Sequence, residues 1–328
     1  MSEHTAMPLK KVAVIANSSA GKQTAQVKIL TALQKKWPQA ALYGVAGYGG
    51  ELLEDTLPGP EAGAYLEKFS FVMESLLARE PDILVTIGGD GTAAYAADWL
   101  LRRDLSVPMF GLGAGTANVG PIVTERDPEN IPALEELIPE QMGAVEALTV
   151  DGQHIAYGFN DLVLGNTLLG SENGQMVTFE AHAMAAEGAR RVCKCLPSIA
   201  GPDFTAEKNG AVLPTILPNV GQLVASTVER ENYYGRAVTG LLCFTPGTPF
   251  QASVYVSTIP IITCEESPAG FEDWMCGAQL LLQPGDRLIL RGLAPKVCAV
   301  ADGNPYVLPG GNVLLQYKPN LLTVLKRR

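Results

Sequence analysis

Five consecutive residues carry the strongest chemical signal in the chain: Gly88-Gly89-Asp90-Gly91-Thr92. Three glycines around one acid let the backbone turn sharply and present N–H groups to an oxyanion, and a helix starting at that point adds its positive end. This is the composition of a phosphate-holding loop. A carboxylate inside it would repel phosphate unless it meets a hydroxyl proton, a metal ion or a ribose. Asp90 is therefore the candidate catalytic group, with Gly88, Gly89, Gly91 and Thr92 as nucleotide-binding candidates. The bland alternative is a turn in which Asp90 only caps the helix that follows.

Two further loops share the same setting. Gly111 to Gly120 follows a strand-like run and offers Gly113, Gly115, Thr116 and Asn118 as nucleotide contacts. It fails the dinucleotide fingerprint G-x-G-x-x-G, because Asn118 stands where the third glycine belongs. Near the amino end, Gly21-Lys22 invites comparison with a P-loop, but that pattern requires Gly at 16 and Ser or Thr at 23, where the chain has Ala16 and Gln23. Asn17, Ser18 and Gly21 are instead expected in a third loop beside the other two. Farther along, Asn160-Asp161 sets an amide next to a carboxylate, a pair able to read ribose or base edges by hydrogen bonds; an Asx turn is the competing account. Asp302-Gly303-Asn304 has the composition of a hairpin turn, which favours a structural Asp302. His154 and His182 lack a neighbouring nucleophile motif, so no catalytic histidine is expected.

The elements that must position these residues read in two parts. Lys11 to Ala16 is a buried strand followed by a helix from Thr24 to Trp37; a helix from Ala64 to Arg79 precedes the strand Asp82 to Ile87, and a helix from Thr92 to Leu101 precedes the strand Val107 to Leu112. Alternating strands and helices imply a doubly wound parallel sheet with its ligand loops at the carboxyl edge. The expected first domain is residues 1–125, α/β and nucleotide-binding. The expected second domain, 126–328, opens with a short helix near Ile131 to Leu137 and continues as period-two strands, among them Met176 to Ala185, Val238 to Phe244 and Val313 to Tyr317. It should be an all-β, mostly antiparallel domain, with the last strand returning to the first domain. Residues 194 to 221, with four prolines, read as a helix-containing excursion or a surface loop.

Composition limits the rest. In 328 residues, 47% are hydrophobic and 18% charged, as in a well-packed globular protein. A net charge of -10 excludes a generic nucleic-acid binder, since the basic spots Arg190-Arg191 with Lys194 and Lys326-Arg327-Arg328 are too small to offset it. The six cysteines lack the paired spacing of a zinc site, so no metal ligand is expected and they read as reduced thiols of a cytoplasmic protein. The polar start predicts no signal peptide, and no apolar run approaches a membrane span, so no integral membrane association is expected. The apolar strands leave room for a homodimer.

Taken in order, GGDGT after a strand, the GAGTANVGPIVTERDPEN segment, FNDLVLG and the late ADGNPYVLPGGNVLLQYKPNLLTVL resemble the NAD kinase and diacylglycerol kinase superfamily, nearest to its bacterial ATP-NAD kinase-like members. The resemblance covers most of the chain, with its specificity concentrated in GGDGT. It implies an ATP- and Mg²⁺-dependent kinase phosphorylating a hydroxyl of NAD or a related nucleotide, with Asp90 helping to remove the acceptor's proton. It also implies that Asn160-Asp161 corresponds to the Asn-Glu pair with which NAD kinases bind the nucleoside, the acid being shorter by one methylene. Asn17 to Gly21 looks more like the Asn-Pro-x-Ser-Gly loop of lipid kinases, with Ser18 for proline. The Thr-Pro-Thr-Gly-Ser-Thr-Ala-Tyr segment of NAD kinases is missing; Thr245-Pro246-Gly247-Thr248-Pro249 is its nearest echo. Two alternatives follow: a lipid kinase of the diacylglycerol type, and a nucleotide-sensing relative without turnover.

Overall fold

A computed structural model describes residues 11–16, 23–63, 65–114, 118, 120–127, 130–172, 175–214, 217, 219–227, 251–264 and 276–328. The chain divides into one unit of residues 1–142 and 320–328 and a second of 143–319. The fold class is the expected one: a parallel α/β sheet in the first unit and antiparallel sheets in the second.

The first unit runs β1 (Lys11–Ala16), α1 (Gln23–Lys36), β2 (Ala41–Val45), β3 (Asp55–Leu57), α2 (Tyr65–Leu77), β4 (Ile83–Gly88), α3 (Asp90–Leu101) and β5 (Met109–Gly113). The strands lie in the order β3-β2-β1-β4-β5, all parallel. β1 and β4 are apolar on both faces because helices cover both. On one face Val12, Val14, Val85 and Ile87 meet Ile29, Leu30 and Leu33, which recur at helical spacing along α1. α2 turns Phe69, Val72, Met73 and Leu76 inward by the same rule. The alanines of α3 let it lie close to the sheet beside β4, the strand that ends in the glycine loop.

Thr86 on β4 is 2% exposed, and its hydroxyl has no hydrogen-bond partner. Thr86→Val removes that orphan while keeping the branched shape, so stability should rise by about 1 kcal/mol, read from the denaturation midpoint.

The second unit contains the end of β6 (Leu137–Leu148), then β7 (His154–Gly158), β8 (Leu162–Gly165), β9 (Thr167–Glu172), β10 (Gln175–Glu180), α4 (Ala181–Glu187), β11 (Ala200–Lys208), β12 (Ala211–Val212), β13 (Gln222–Thr227), β14 (Ala252–Ser257), β15 (Gly277–Leu282), β16 (Leu288–Leu293), β17 (Cys298–Ala301), β18 (Asn304–Val307) and the start of β19 (Val313–Arg327). One antiparallel sheet has the order β15-β14-β13-β8-β17-β18. In the other, β12, β11, β16 and the start of β19 follow one another, and β7 pairs with β6. Leu164, Leu223, Val254, Leu290 and Leu315 belong to the core between these strands. The remainder of β19 belongs to the first unit and runs parallel to β5, with Val324 opposite Met109.

Several local expectations are corrected. The helix expected near Ile131 to Leu137 is only a 3-10 turn at Leu134–Glu136, and Leu137 already begins β6. The strand expected from Met176 to Ala185 stops at Glu180, because the alanine-rich residues that follow wind into α4 and stop at Gly188 in the left-handed region, φ 66°. The stretch 194–221 holds the β11–β12 hairpin; its turn, Asn209-Gly210, has φ 53° and 84°, the pairing favoured by two-residue hairpins. The last strand reaches Arg327, ten residues beyond the expected Tyr317. Val238 to Phe244 lies outside the described residues. Among the described residues, no helix is long and apolar enough to cross a membrane.

Candidate active site

β4 delivers Gly88 to the edge of the sheet, where Gly89 adopts an extended backbone, φ -95° and ψ -178°, as the residue before the helix, and Asp90 occupies the first position of α3. The N-cap position therefore belongs to Gly89, with Asp90 one residue inside the helix. Asp90 Oδ1 accepts the N–H of Gly120 at 2.9 Å. A Cβ on Gly120 would lie 2.8 Å from that oxygen, so only glycine permits the approach. Thr92 is buried, and its N–H donates to the Gly89 carbonyl at 3.2 Å, which tightens the first turn. A half-buried carboxylate is thus fixed at the amino end of a helix, where a phosphate is favoured.

The second glycine loop closes on the first. Gly113 ends β5, and the Asn118 side chain packs directly over its α-carbon. The chain then returns along β5: Gly113 N–H donates to the Glu125 carbonyl at 2.9 Å, and Glu125 N–H to the Gly111 carbonyl at 3.0 Å. Arg126 follows, its guanidinium donating to the carbonyls of Asn118 at 2.6 Å and Gly120 at 3.4 Å. Of the nucleotide-binding candidates, Gly88, Gly89, Gly91, Thr92, Gly113 and Asn118 thus lie on two loops that meet at Asp90. Asn17, Ser18, Gly21, Gly115 and Thr116 lie outside the described residues. A cavity of about 340 Å³ elsewhere in the first unit is lined by Lys36, Ile131, Arg327 and Arg328, and none of these candidates lines it.

In the second unit, Asn160 and Asp161 occupy the turn between β7 and β8. The residue that shapes it comes from far along the chain. Asp302, in the β17–β18 turn with φ 49°, accepts the N–H groups of Phe159 at 2.8 Å, Asn160 at 2.8 Å and Asp161 at 3.1 Å. Ser226 donates to the Asn160 carbonyl at 2.5 Å and Thr227 to that of Phe159 at 3.1 Å. The Asn160 amide donates to Asp161 Oδ2 at 2.7 Å, so the neighbouring side chains are oriented together. Burial first, and then the Asp161 carboxylate, push the Asp302 carboxyl up to about 8 against the pull of the three N–H groups. The two acids titrate as a pair and the extra proton belongs to both. The hairpin-turn reading of Asp302 thus described its backbone but not its work. A turn-forming aspartate and its partners over a hundred residues away share no local pattern, so nothing in the sequence marked Asp302, Ser226 or Thr227 as anchors.

His154 lies in a hydrogen-bonded cluster of the second unit. Its Nδ1 lies 3.0 Å from Glu146, its ring packs on Tyr157 with centroids 4.1 Å apart, and Gln316 donates to the same carboxylate at 2.7 Å. Burial opposes ionisation of Glu146 most strongly, yet the bonds from His154 and Gln316 and the charge of Lys318 together hold its carboxyl below the ordinary 4.5. A depressed folded value means stability that is full above 4.5 and is lost as pH falls through the lower folded value. Glu146→Gln should flatten this acid limb, measured as melting temperature on acidification from neutral pH; an unchanged limb would show that other acids carry it.

Residues 11–150 match the diacylglycerol kinase catalytic domain. Over 99 residues the chain is 30% identical to an NAD kinase of Zymomonas mobilis, an alignment covering 30% of this chain and 37% of that protein. Over 98 residues it is 31% identical to a proposed lipid kinase of Staphylococcus aureus strain JH9, covering 30% and 31%. The chain thus spans about a third of the length of the curated relatives it matches. Its fold is similar to that of a diacylglycerol kinase from Bacillus anthracis, with TM-score 0.52 at 12% identity over 97% of each chain. It is likewise similar to yeast NADH kinase complexed with NADH, with TM-score 0.51 at 13% identity over 98% of this chain and 83% of the other.

Proposed function

We propose that the chain, whose residues 11–150 match the diacylglycerol kinase catalytic domain, is an ATP-dependent kinase that transfers a phosphoryl group to a hydroxyl of NAD or a related nucleotide. The observation that carries this reading is Asp90, fixed by Gly120 N–H at the amino end of α3 inside a glycine loop. Phosphoryl transfer asks the protein mainly for positioning and for a base beside the attacking hydroxyl. Asp90 takes the hydroxyl proton as the oxygen–phosphorus bond forms and the ADP oxygen departs. The glycine loop and the first turn of α3 hold phosphate oxygens through N–H groups. In the second unit, Asn160 and Asp161, held by Asp302, form a hydrogen-bonding pair suited to a nucleoside.

Mg²⁺ brought with ATP neutralises charge on the transferring phosphate when bound. Among the described residues there is no group of three or more His, Cys, Asp or Glu able to hold a metal.

A second reading keeps the same donor chemistry and takes a lipid hydroxyl as acceptor. It is favoured by the diacylglycerol kinase match over 11–150 and by the absence of the Thr-Pro-Thr-Gly-Ser segment. Radiolabelled ATP with Mg²⁺, offered in parallel with NAD and with diacylglycerol in mixed micelles, separates the two. Labelled NADP is the expected product. Labelled lipid alone would replace the acceptor, and tight ATP binding by calorimetry with no product in either arm would leave the nucleotide-sensing reading in place of both.

A further inference from the structure

The segment from Gly120 to Glu125 is already secured without Arg126. Two backbone hydrogen bonds tie it to β5, and the Thr124 hydroxyl donates to the Leu325 carbonyl at 2.7 Å. What Arg126 adds lies at residues 118–120. Its half-buried guanidinium reaches the carbonyls of Asn118 and Gly120, which stand on either side of the N–H that meets Asp90. The contact to Asn118, at 2.6 Å, is that of a charge-assisted hydrogen bond, and the longer one to Gly120 fixes the rotation of the loop about it.

We propose that Arg126 is a positioning residue for Asp90. Arg126 holds the loop so that Gly120 N–H faces Asp90 Oδ1, and this N–H fixes the orientation in which the carboxylate meets the acceptor hydroxyl. The inference rests on the kinase reading for its kinetic consequence, but the contact itself is open to measurement without turnover. Gly120 cannot hold Asp90 through a side chain, so the placement of its N–H is the only part of residue 120 that can act on the acid.

The test uses the full chain carrying Arg126→Ala or Arg126→Lys, with hydrogen exchange of the Gly120 amide and steady-state kinetics on whichever acceptor the wild type uses. Arg126→Ala should expose the Gly120 amide to faster exchange, as Asp90→Ala should from the other side. A carboxylate displaced by the order of an ångström predicts a fall in kcat of about 100-fold with KM within about twofold, and Arg126→Lys should restore part of it. Because the segment from Gly120 to Glu125 is pinned by its bonds to β5 and Leu325, both variants should melt close to the wild type. Unchanged Gly120 exchange in Arg126→Ala overturns the inference, as does a loss confined to KM, or a collapse in melting temperature that Arg126→Lys shares. If the wild type transfers no phosphate to any acceptor, the kinase reading fails by itself, while the exchange comparison still decides whether Arg126 sets the Gly120–Asp90 contact.

Discussion

Asp90→Asn is expected to lower kcat by about a hundred- to ten-thousandfold, the range associated with loss of a general base, while KM for ATP changes little. The substitution is sharp because it spares the geometry. An asparagine oxygen can still accept the Gly120 N–H now 2.9 Å from Oδ1, and the N-cap residue, Gly89, is unchanged, so only the modest attraction of a carboxylate to the helix end is lost. What disappears is the ability to accept a proton from the attacking hydroxyl. Steady-state rates with the melting temperature measured alongside decide the matter. A rate within a fewfold of the wild type, in a protein that folds and binds ATP normally, would leave Asp90 with a merely structural role.

The second large effect concerns the other unit. Asp302→Ala strands three N–H donors, two of them on the fully or nearly fully buried Phe159 and Asn160, and puts alanine at φ 49°, where aspartate is better tolerated. A loss of about 3 kcal/mol follows from leaving such groups unpaired. Asp302→Asn keeps the volume but aims an amide nitrogen at one of the donors, so it should fall between wild type and alanine. The pH dependence supplies an independent check. Because the folded pair with Asp161 keeps a proton from the ordinary 3.8 up to about 8, the native state binds more protons than the unfolded chain across that window. Stability from this pair is therefore greatest below 3.8, declines as pH rises and levels off above about 8. Urea denaturation across the window should show this slope in the wild type and a flatter one in Asp302→Asn; an identical slope in both would mean that the pair does not hold the proton.

These two residues show how differently the sequence exposes its chemistry. GGDGT was legible because the strand, the turn and the helix that place Asp90 are all contiguous with it. The alternation of strands and helices through Leu112 gave the parallel sheet for the same reason. The anchor of Asn160-Asp161 was illegible, because hydrogen bonds joining residues more than 140 apart leave no mark in either segment. Arg126 was hidden in another way: it acts on backbone carbonyls, which every residue type shares. The helix α4 and the β11–β12 hairpin were misread for local reasons. A run of alternating apolar residues masked an alanine-rich helix in one, and four prolines drew attention away from Asn209-Gly210 in the other.

The return of residues 320–328 to the first unit also has a bearing on how the protein is made. At the Met109 end of β5 the neighbouring strand is this stretch, through the parallel pairing at Val324, beside the Thr124–Leu325 bond and the contacts of Lys326 with Glu140 and Arg327 with Asn130. Leu325 is added to the growing polypeptide 201 residues after Thr124. At ordinary elongation speeds that interval is roughly ten to forty seconds, during which an apolar strand edge emerges from the ribosome without its neighbour. Early ribosome-bound intermediates should therefore expose a pairing-competent edge, and the nascent chain is an apt client for a chaperone until its last strand arrives.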